Sequence, residues 1–77
     1  MDDVSRPLDL LNSAKDRRIM VQLKNGRQFM GKLVAFDIHI NIVMDDVEEL
    51  ENGETKNKMG KVFLRGDTII LISPAEE

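Results

Sequence analysis

Two Asn-Gly dipeptides, Asn25-Gly26 and Asn52-Gly53, constrain this chain more than any other feature, because each separates runs of strand-forming residues. A type I′ turn needs positive φ at both central positions, which Asn and Gly accept and most residues resist. Before the first turn, Arg18-Ile19-Met20-Val21-Gln22-Leu23 alternates as a strand with Ile19, Val21 and Leu23 inward. The return strand, Arg27 to about Asp37, is too long to stay flat over a small core, and Gly31 lies where a bend or bulge would curve it. A third strand runs from about Asn41 to Glu49, and a fourth from Lys58 to Leu64 with a kink at Gly60. After the short connection Arg65-Gly66-Asp67, a fifth strand covers Thr68 to Ser73 and Pro74 ends it. The expected fold is mainly β, a strongly bent five-stranded antiparallel sheet whose core takes Phe29, Phe36 and Phe63. Ahead of it, Arg6 to Asn12 reads as a short helix, with Pro7 in the first turn, Asp9 favoured by the positive end of the dipole, and Leu8 and Leu11 on one face. Asn12 to Arg17 is a polar link. The domain spans 6–73, between a flexible tail at 1–5 and a C-terminal tail at 74–77.

A chain of 77 residues forms one small domain, and that size class buries only about 60% of the surface the unfolded chain exposes. There is no cysteine, and no His/Asp/Glu spacing reads as a metal site, so the usual staples of a small fold are missing and subunit association is the expected stabiliser. The final strand, Thr68-Ile69-Ile70-Leu71-Ile72-Ser73, points the same way. Its continuous apolar run calls for burial on both faces, and an unpaired hydrophobic edge is a template for another chain's strand. A head-to-tail contact of that kind closes into a ring when the rotation per subunit allows. No repeat, low-complexity segment or second domain is visible. No apolar run approaches the ~20 residues needed to cross a bilayer, and Met1-Asp2-Asp3 is acidic where a secretory signal is basic, so a cytoplasmic protein without a membrane partner is expected. The absence of cysteine fits any redox compartment.

The formal charge of −3 weakly opposes nucleic acid, but the charge is unevenly spread. Residues 1–36 hold seven basic and four acidic side chains, residues 37–55 none and seven, and residues 56–77 four and three. Screening confines each patch to a Debye length of about 8 Å, so a polyanion can still bind locally. Asp45, Asp46, Glu48, Glu49, Glu51 and Glu54 read as a solvated hairpin face.

Two polar clusters interrupt the apolar strands: Asp37-Ile38-His39-Ile40-Asn41 and Arg65-Gly66-Asp67-Thr68. In an extended segment, alternation sends Asp37, His39 and Asn41 one way and Ile38 and Ile40 the other; Arg65 and Asp67 repeat the pattern. A guanidinium opposite an imidazole makes a slot for a flat ring, and the Asn41 amide offers one donor edge and one acceptor edge, which suits a nucleobase. Arg65 and Asp67 could equally form a plain surface ion pair. Arg6 and Lys32 are either phosphate contacts or ordinary surface charge. An enzyme has little to stand on: one histidine, no serine or cysteine beside a base, no phosphate-cradling glycine loop, and no implied cofactor.

These residues resemble the Sm and Sm-like (LSm) family, archaeal members most closely, over nearly the whole chain. The first Sm motif corresponds to about Ile19 to Leu50, with Asn25-Gly26, Gly31 and Asp37-Ile38-His39-Ile40-Asn41; the second corresponds to about Gly60 to Ile72, with Leu64-Arg65-Gly66-Asp67. The resemblance implies a helix followed by a bent five-stranded barrel, joined through edge strands into a homo-oligomeric ring, typically a heptamer, that binds uridine-rich single-stranded RNA around its pore. It also implies work in RNA processing or ribonucleoprotein assembly, with other RNA-processing proteins as further partners. By the same resemblance His39 stacks on a uracil whose other face meets Arg65, Asn41 hydrogen-bonds the base edge, Gly66 gives a backbone contact, and Asp67 orients the amide. Leu64-Arg65-Gly66-Asp67 speaks against the bacterial branch, whose second motif carries a central lysine and histidine. The competing function is a ring acting as a structural or protein-interaction module with little RNA binding.

Overall fold

The computed structural model describes residues 6–75, so the expected tail at 1–5 and the last two residues lie outside it. Helix α1 spans Pro7–Ala14, two residues beyond the expected end at Asn12. Leu11 and Ala14 explain the extension: three positions apart they share one helical face, and both are buried while Asn12 and Ser13 face solvent. At the start, the Arg6 N–H donates to Asp9 Oδ2 at 3.1 Å, so the third helical residue reaches back over an unpaired donor. Asp16, at φ 67°, then reverses the chain, and its N–H donates to the Leu33 carbonyl at 2.7 Å, pinning the helix end to the sheet.

Strands β1 (Arg18–Leu23), β2 (Gln28–Phe36) and β3 (Ile42–Glu51) form an antiparallel meander, with Ile19, Val21 and Leu23 inward as expected. The second Asn-Gly turn has positive φ at both residues, Asn52 at 54° and Gly53 at 82°. The first does not. Only Gly26 is positive there, at 90°, and the N–H of Gly26 donates to the Leu23 carbonyl while Leu23 N–H donates to Arg27, which makes a three-residue loop. The Asn25 side-chain oxygen occupies itself with the Arg27 N–H at 3.0 Å.

The expected fourth strand is two strands, β4 (Glu54–Met59) and β5 (Val62–Leu64), followed by a single 3-10 turn at Gly66–Thr68 and β6 (Ile69–Pro74). Six strands therefore replace the five expected. The cause lies in β3. It is ten residues long and pairs with β4 through Val47–Glu51 but with β5 through Ile42–Met44, so its partner must break where β3 bends. Asp46, at φ 53°, marks the bend, opposite Gly31, where the β2–β3 register shifts as expected. A Cβ on Gly31 would stand 2.9 Å from the Asp45 carbonyl oxygen, so only glycine lets the two backbones approach.

The sheet order is β4-β3-β2-β1-β6, with β5 also on β3, leaving β6 free at one end and β4 and β5 at the other. Inside the bend, Ile19, Leu33, Ile42 and Met44 have no exposed surface. Full burial of such a side chain contributes about 1.5–3 kcal/mol. Phe29 joins this core, and Phe36 packs against it. Phe63 does not: it is 60% exposed on β5, because Leu64 is the residue that points inward there. On β6, Ile70 is 62% and Leu71 42% exposed, so one chain cannot bury both faces of this strand. Pairing also runs one residue further than expected, with Pro74 in the strand and the Ala75 N–H donating to the Arg18 carbonyl.

Glu49 departs from the expected solvated acidic face, being only 4% exposed. Arg27 explains this by donating twice to its carboxylate, at 2.8 and 3.1 Å, while its guanidinium stacks 5.2 Å over the Phe29 ring. That hydrogen bonding holds the Glu49 carboxyl below its ordinary range. Among the described residues, no helix is long and apolar enough to cross a membrane.

Candidate nucleic-acid interface

The segment 37–41 is a tight loop, where an extended strand was expected, so alternation is not what groups its side chains. Asp37 N–H donates to the Asn41 carbonyl at 3.1 Å and Ile40 N–H to the Asp37 carbonyl at 3.0 Å. The pattern repeats the Leu23–Arg27 loop, but the left-handed position that Gly26 fills there is filled here by Ile40 at φ 63°. A β-branched residue in that region costs about 1–3 kcal/mol, and such strain concentrates at functional sites. Ile38 and Ile40 consequently share no face: Ile38 is 74% exposed, and Ile40 packs against the core.

Asp37 organises the loop. Its Oδ1 accepts from the backbone N–H of His39 at 2.8 Å and of Asn41 at 3.2 Å, and its Oδ2 accepts from the Asn41 side-chain amide at 3.1 Å. The other end of that amide, Asn41 Oδ1, accepts from the Gly66 N–H at 2.8 Å. Both ends of the amide are thereby assigned. Flipping it would set its NH2 against the Gly66 N–H and its oxygen against the Asp37 carboxylate. One amide hydrogen and one oxygen lone pair stay unused.

The resemblance gave the orienting role to Asp67. In the structure Asp37 and Gly66 hold Asn41, and Asp67 Oδ2 pairs with Arg65 Nη2 at 3.0 Å, both side chains more than half exposed. The reason is geometric. Asp67 sits within the 3-10 turn one residue past Gly66, whereas Asp37 begins the very loop that carries Asn41. Gly66 is needed for contact: a Cβ there would run into the His39 carbonyl and lie 2.9 Å from the Ile40 carbonyl carbon. Thr68 steadies the turn by donating its hydroxyl to the Arg65 carbonyl at 2.7 Å.

His39, Asn41, Arg65, Gly66 and Asp67 together line one open cavity of about 470 Å³. All five residues singled out from the sequence are brought together. Arg6 and Lys32 are elsewhere: Arg6 pairs with Asp9 at 3.3 Å, and Lys32 lines a separate depression with Arg17, Arg18, Asp45 and Asp46. Sequence reading placed Asp37 on the site face but missed its role, although Asp four residues before Asn in a loop is a pattern for side-chain-to-backbone bonding.

The Asn41 amide, above all, and the backbone N–H groups of His39 and Asn41 hold the Asp37 carboxyl below its ordinary range, against an opposing effect of burial. A depressed carboxyl stabilises the loop above its unfolded pKa, near 4, and that contribution is lost only as pH falls through the lower folded value. The Asn41 side-chain amide resonance is therefore expected to hold its neutral-pH position through pH ~4 and to move only below it. A transition centred at the ordinary Asp value would show that the contacts are not made in solution.

A family profile for the LSM domain matches residues 9–74. A snRNP Sm-like protein of Archaeoglobus fulgidus is 50% identical over 70 residues, covering 91% of this chain and 91% of that protein. The Sm protein of Pyrococcus abyssi, solved in complex with a uridine heptamer, superposes with a TM-score of 0.88 at 41% identity, over 92% of this chain and all of that one. A heptameric archaeal Sm protein superposes with a TM-score of 0.81 at 30% identity, over 87% of this chain and 97% of that one.

Proposed function

This chain belongs to the Sm-like (LSm) family, and on that premise we propose that it assembles as a homoheptameric ring whose pore binds uridine-rich single-stranded RNA. The observation that carries the base specificity is the Asn41 amide, fixed at one end by Asp37 and at the other by Gly66. Uracil presents an imino N–H beside a carbonyl, which the unused lone pair and unused hydrogen of that amide match together. Cytosine reverses the pair. It would need the flipped amide that Asp37 and Gly66 oppose, and adenine, which also sets an acceptor nitrogen beside an amino donor, would need the same flip.

His39 and Arg65 form the walls of the slot, the imidazole on one face of the base and the guanidinium on the other, so that stacking supplies the affinity and Asn41 the choice of base. Asp67 keeps the guanidinium in place through their ion pair. None of these groups is arranged as a nucleophile with a general base, and we read the protein as a binder without a catalytic step. Its placement in the cytoplasm, its service in RNA processing or ribonucleoprotein assembly, and its association with other RNA-processing proteins belong to the same proposal.

Assembly follows from the two free edges. The β6 edge and the β5 edge are unlike surfaces, each with exposed apolar side chains, so joining β6 of one subunit to β5 of the next is a head-to-tail contact that closes into a ring. The relative with a uridine heptamer and the heptameric relative support seven subunits and a uridine ligand. Native mass spectrometry is expected to give seven times the chain mass, and one further species with an added strand when oligouridine is present. A monomer at micromolar concentration would overturn the proposal, whereas a hexamer would change only its symmetry.

A further inference from the structure

On the far side of the Arg65–Asp67 pair lies a second depression of about 340 Å³, lined by Leu23, Lys24, Asn25, Arg65, Asp67 and Thr68. It shares Arg65 and Asp67 with the base cavity. The β1–β2 loop that supplies Lys24 is held against the 3-10 turn, because the Lys24 N–H donates to the Thr68 carbonyl at 2.8 Å. The backbone that carries this lysine is thus fixed beside the site, independent of the lysine's own side chain.

The charges and donors of this depression suit a phosphodiester. Arg65 and Asp67 offset each other, and Lys24 has no acidic partner among the described residues, so the lining is net positive within a chain that holds half of its acidic residues in 37–55. The Asn25 side-chain oxygen is engaged by Arg27, which leaves its NH2 group available to donate. An ammonium, an amide NH2 and the spare N–H groups of a guanidinium are the donor types that bind phosphate oxygens. We propose that Lys24, with Asn25 and the outer edge of Arg65, seats the backbone phosphate of the nucleotide whose base enters the neighbouring cavity. Each subunit then grips one nucleotide at two points, the base through stacking and the phosphate through charge. The inference rests on the base-binding reading of His39, Asn41 and Arg65.

The test uses full-length rings of verified mass titrated with short oligouridine over a range of salt. Lys24→Gln removes the charge and keeps the backbone contact to Thr68. It is expected to weaken binding roughly tenfold or more at low salt and to flatten the slope of log affinity on log salt by about 0.7 for each engaged subunit. Lys58→Gln, which removes an equal charge from β4, is expected to leave the slope unchanged. Oligouridine with neutral methylphosphonate linkages is expected to bind the parent and Lys24→Gln rings equally. Parent-like slope and affinity in Lys24→Gln would overturn the phosphate seat, as would a Lys24→Gln defect that persists with the neutral strand. A His39→Ala ring separates the two failures: lost affinity with a parent-like salt slope is expected and leaves the phosphate seat in place, whereas parent-like binding would remove the base pocket and with it the pairing of base and phosphate proposed here.

Discussion

Rings carrying His39→Ala or Arg65→Ala are expected to keep their mass and to lose nearly all affinity for oligouridine. Both side chains are exposed and contribute nothing to the buried core, so the fold has no reason to change. Each substitution removes one wall of the slot. Loss of base stacking costs about 1–3 kcal/mol per base, and a strand that occupies several subunits suffers the loss at each one. With ~1.4 kcal/mol per tenfold, three affected bases already imply a loss of about a hundredfold or more. Arg65→Ala should be at least as severe, since it also strips Asp67 of its partner and leaves an uncompensated carboxylate beside a polyanion. Anisotropy titration of mass-verified rings reads the effect, and a change of less than about threefold, well under the stacking energy of a single base, would remove stacking from the mechanism.

The second large effect is on assembly. Ile70→Asp is expected to yield a folded chain that no longer forms a ring. In the isolated chain Ile70 is 62% exposed on the free β6 edge, so a carboxylate there meets water and the subunit fold should tolerate it. Pairing with a neighbour would bury that carboxylate without a partner, at an effective cost of several kcal/mol per ion. A closed ring meets this penalty at every contact. Native mass spectrometry should find monomers or small open species for Ile70→Asp and a ring for Ile70→Leu; a full ring for the aspartate variant would show that β6 is not the contact.

The strands were legible because their causes are local. Ile19, Val21 and Leu23 alternate inward as their spacing requires, and Gly31 stands at the bulge because Asp45 and Val47 leave no room for a side chain. The five site residues could be gathered because both clusters fall at strand ends, which the topology brings together. Other features were hidden for physical reasons. Ile40 adopts a left-handed conformation that its side chain disfavours, so nothing in its propensity announces the loop, and 37–41 looks like a continuation of strand. Asp37 acts through hydrogen bonds to residues two and four positions on, which strand alternation does not describe. Glu49 is buried by a partner 22 positions away, Arg27, so its composition alone put it on the surface. The division of β4 from β5 depends on the bend in β3, a long-range cause that Gly60 only hints at.

A uracil-reading pocket in an assembled ring is tested most directly by titrating the parent protein with oligouridine, oligocytidine and oligoadenosine of equal length at one salt concentration. The fixed Asn41 amide predicts that oligouridine binds at least about fivefold tighter than oligocytidine, as one matched edge contact is worth ~1–3 kcal/mol against its reversal, and that oligoadenosine, whose edge is reversed in the same way, is disfavoured likewise. Equal affinity for all three strands would contradict base reading and leave only attraction between charges.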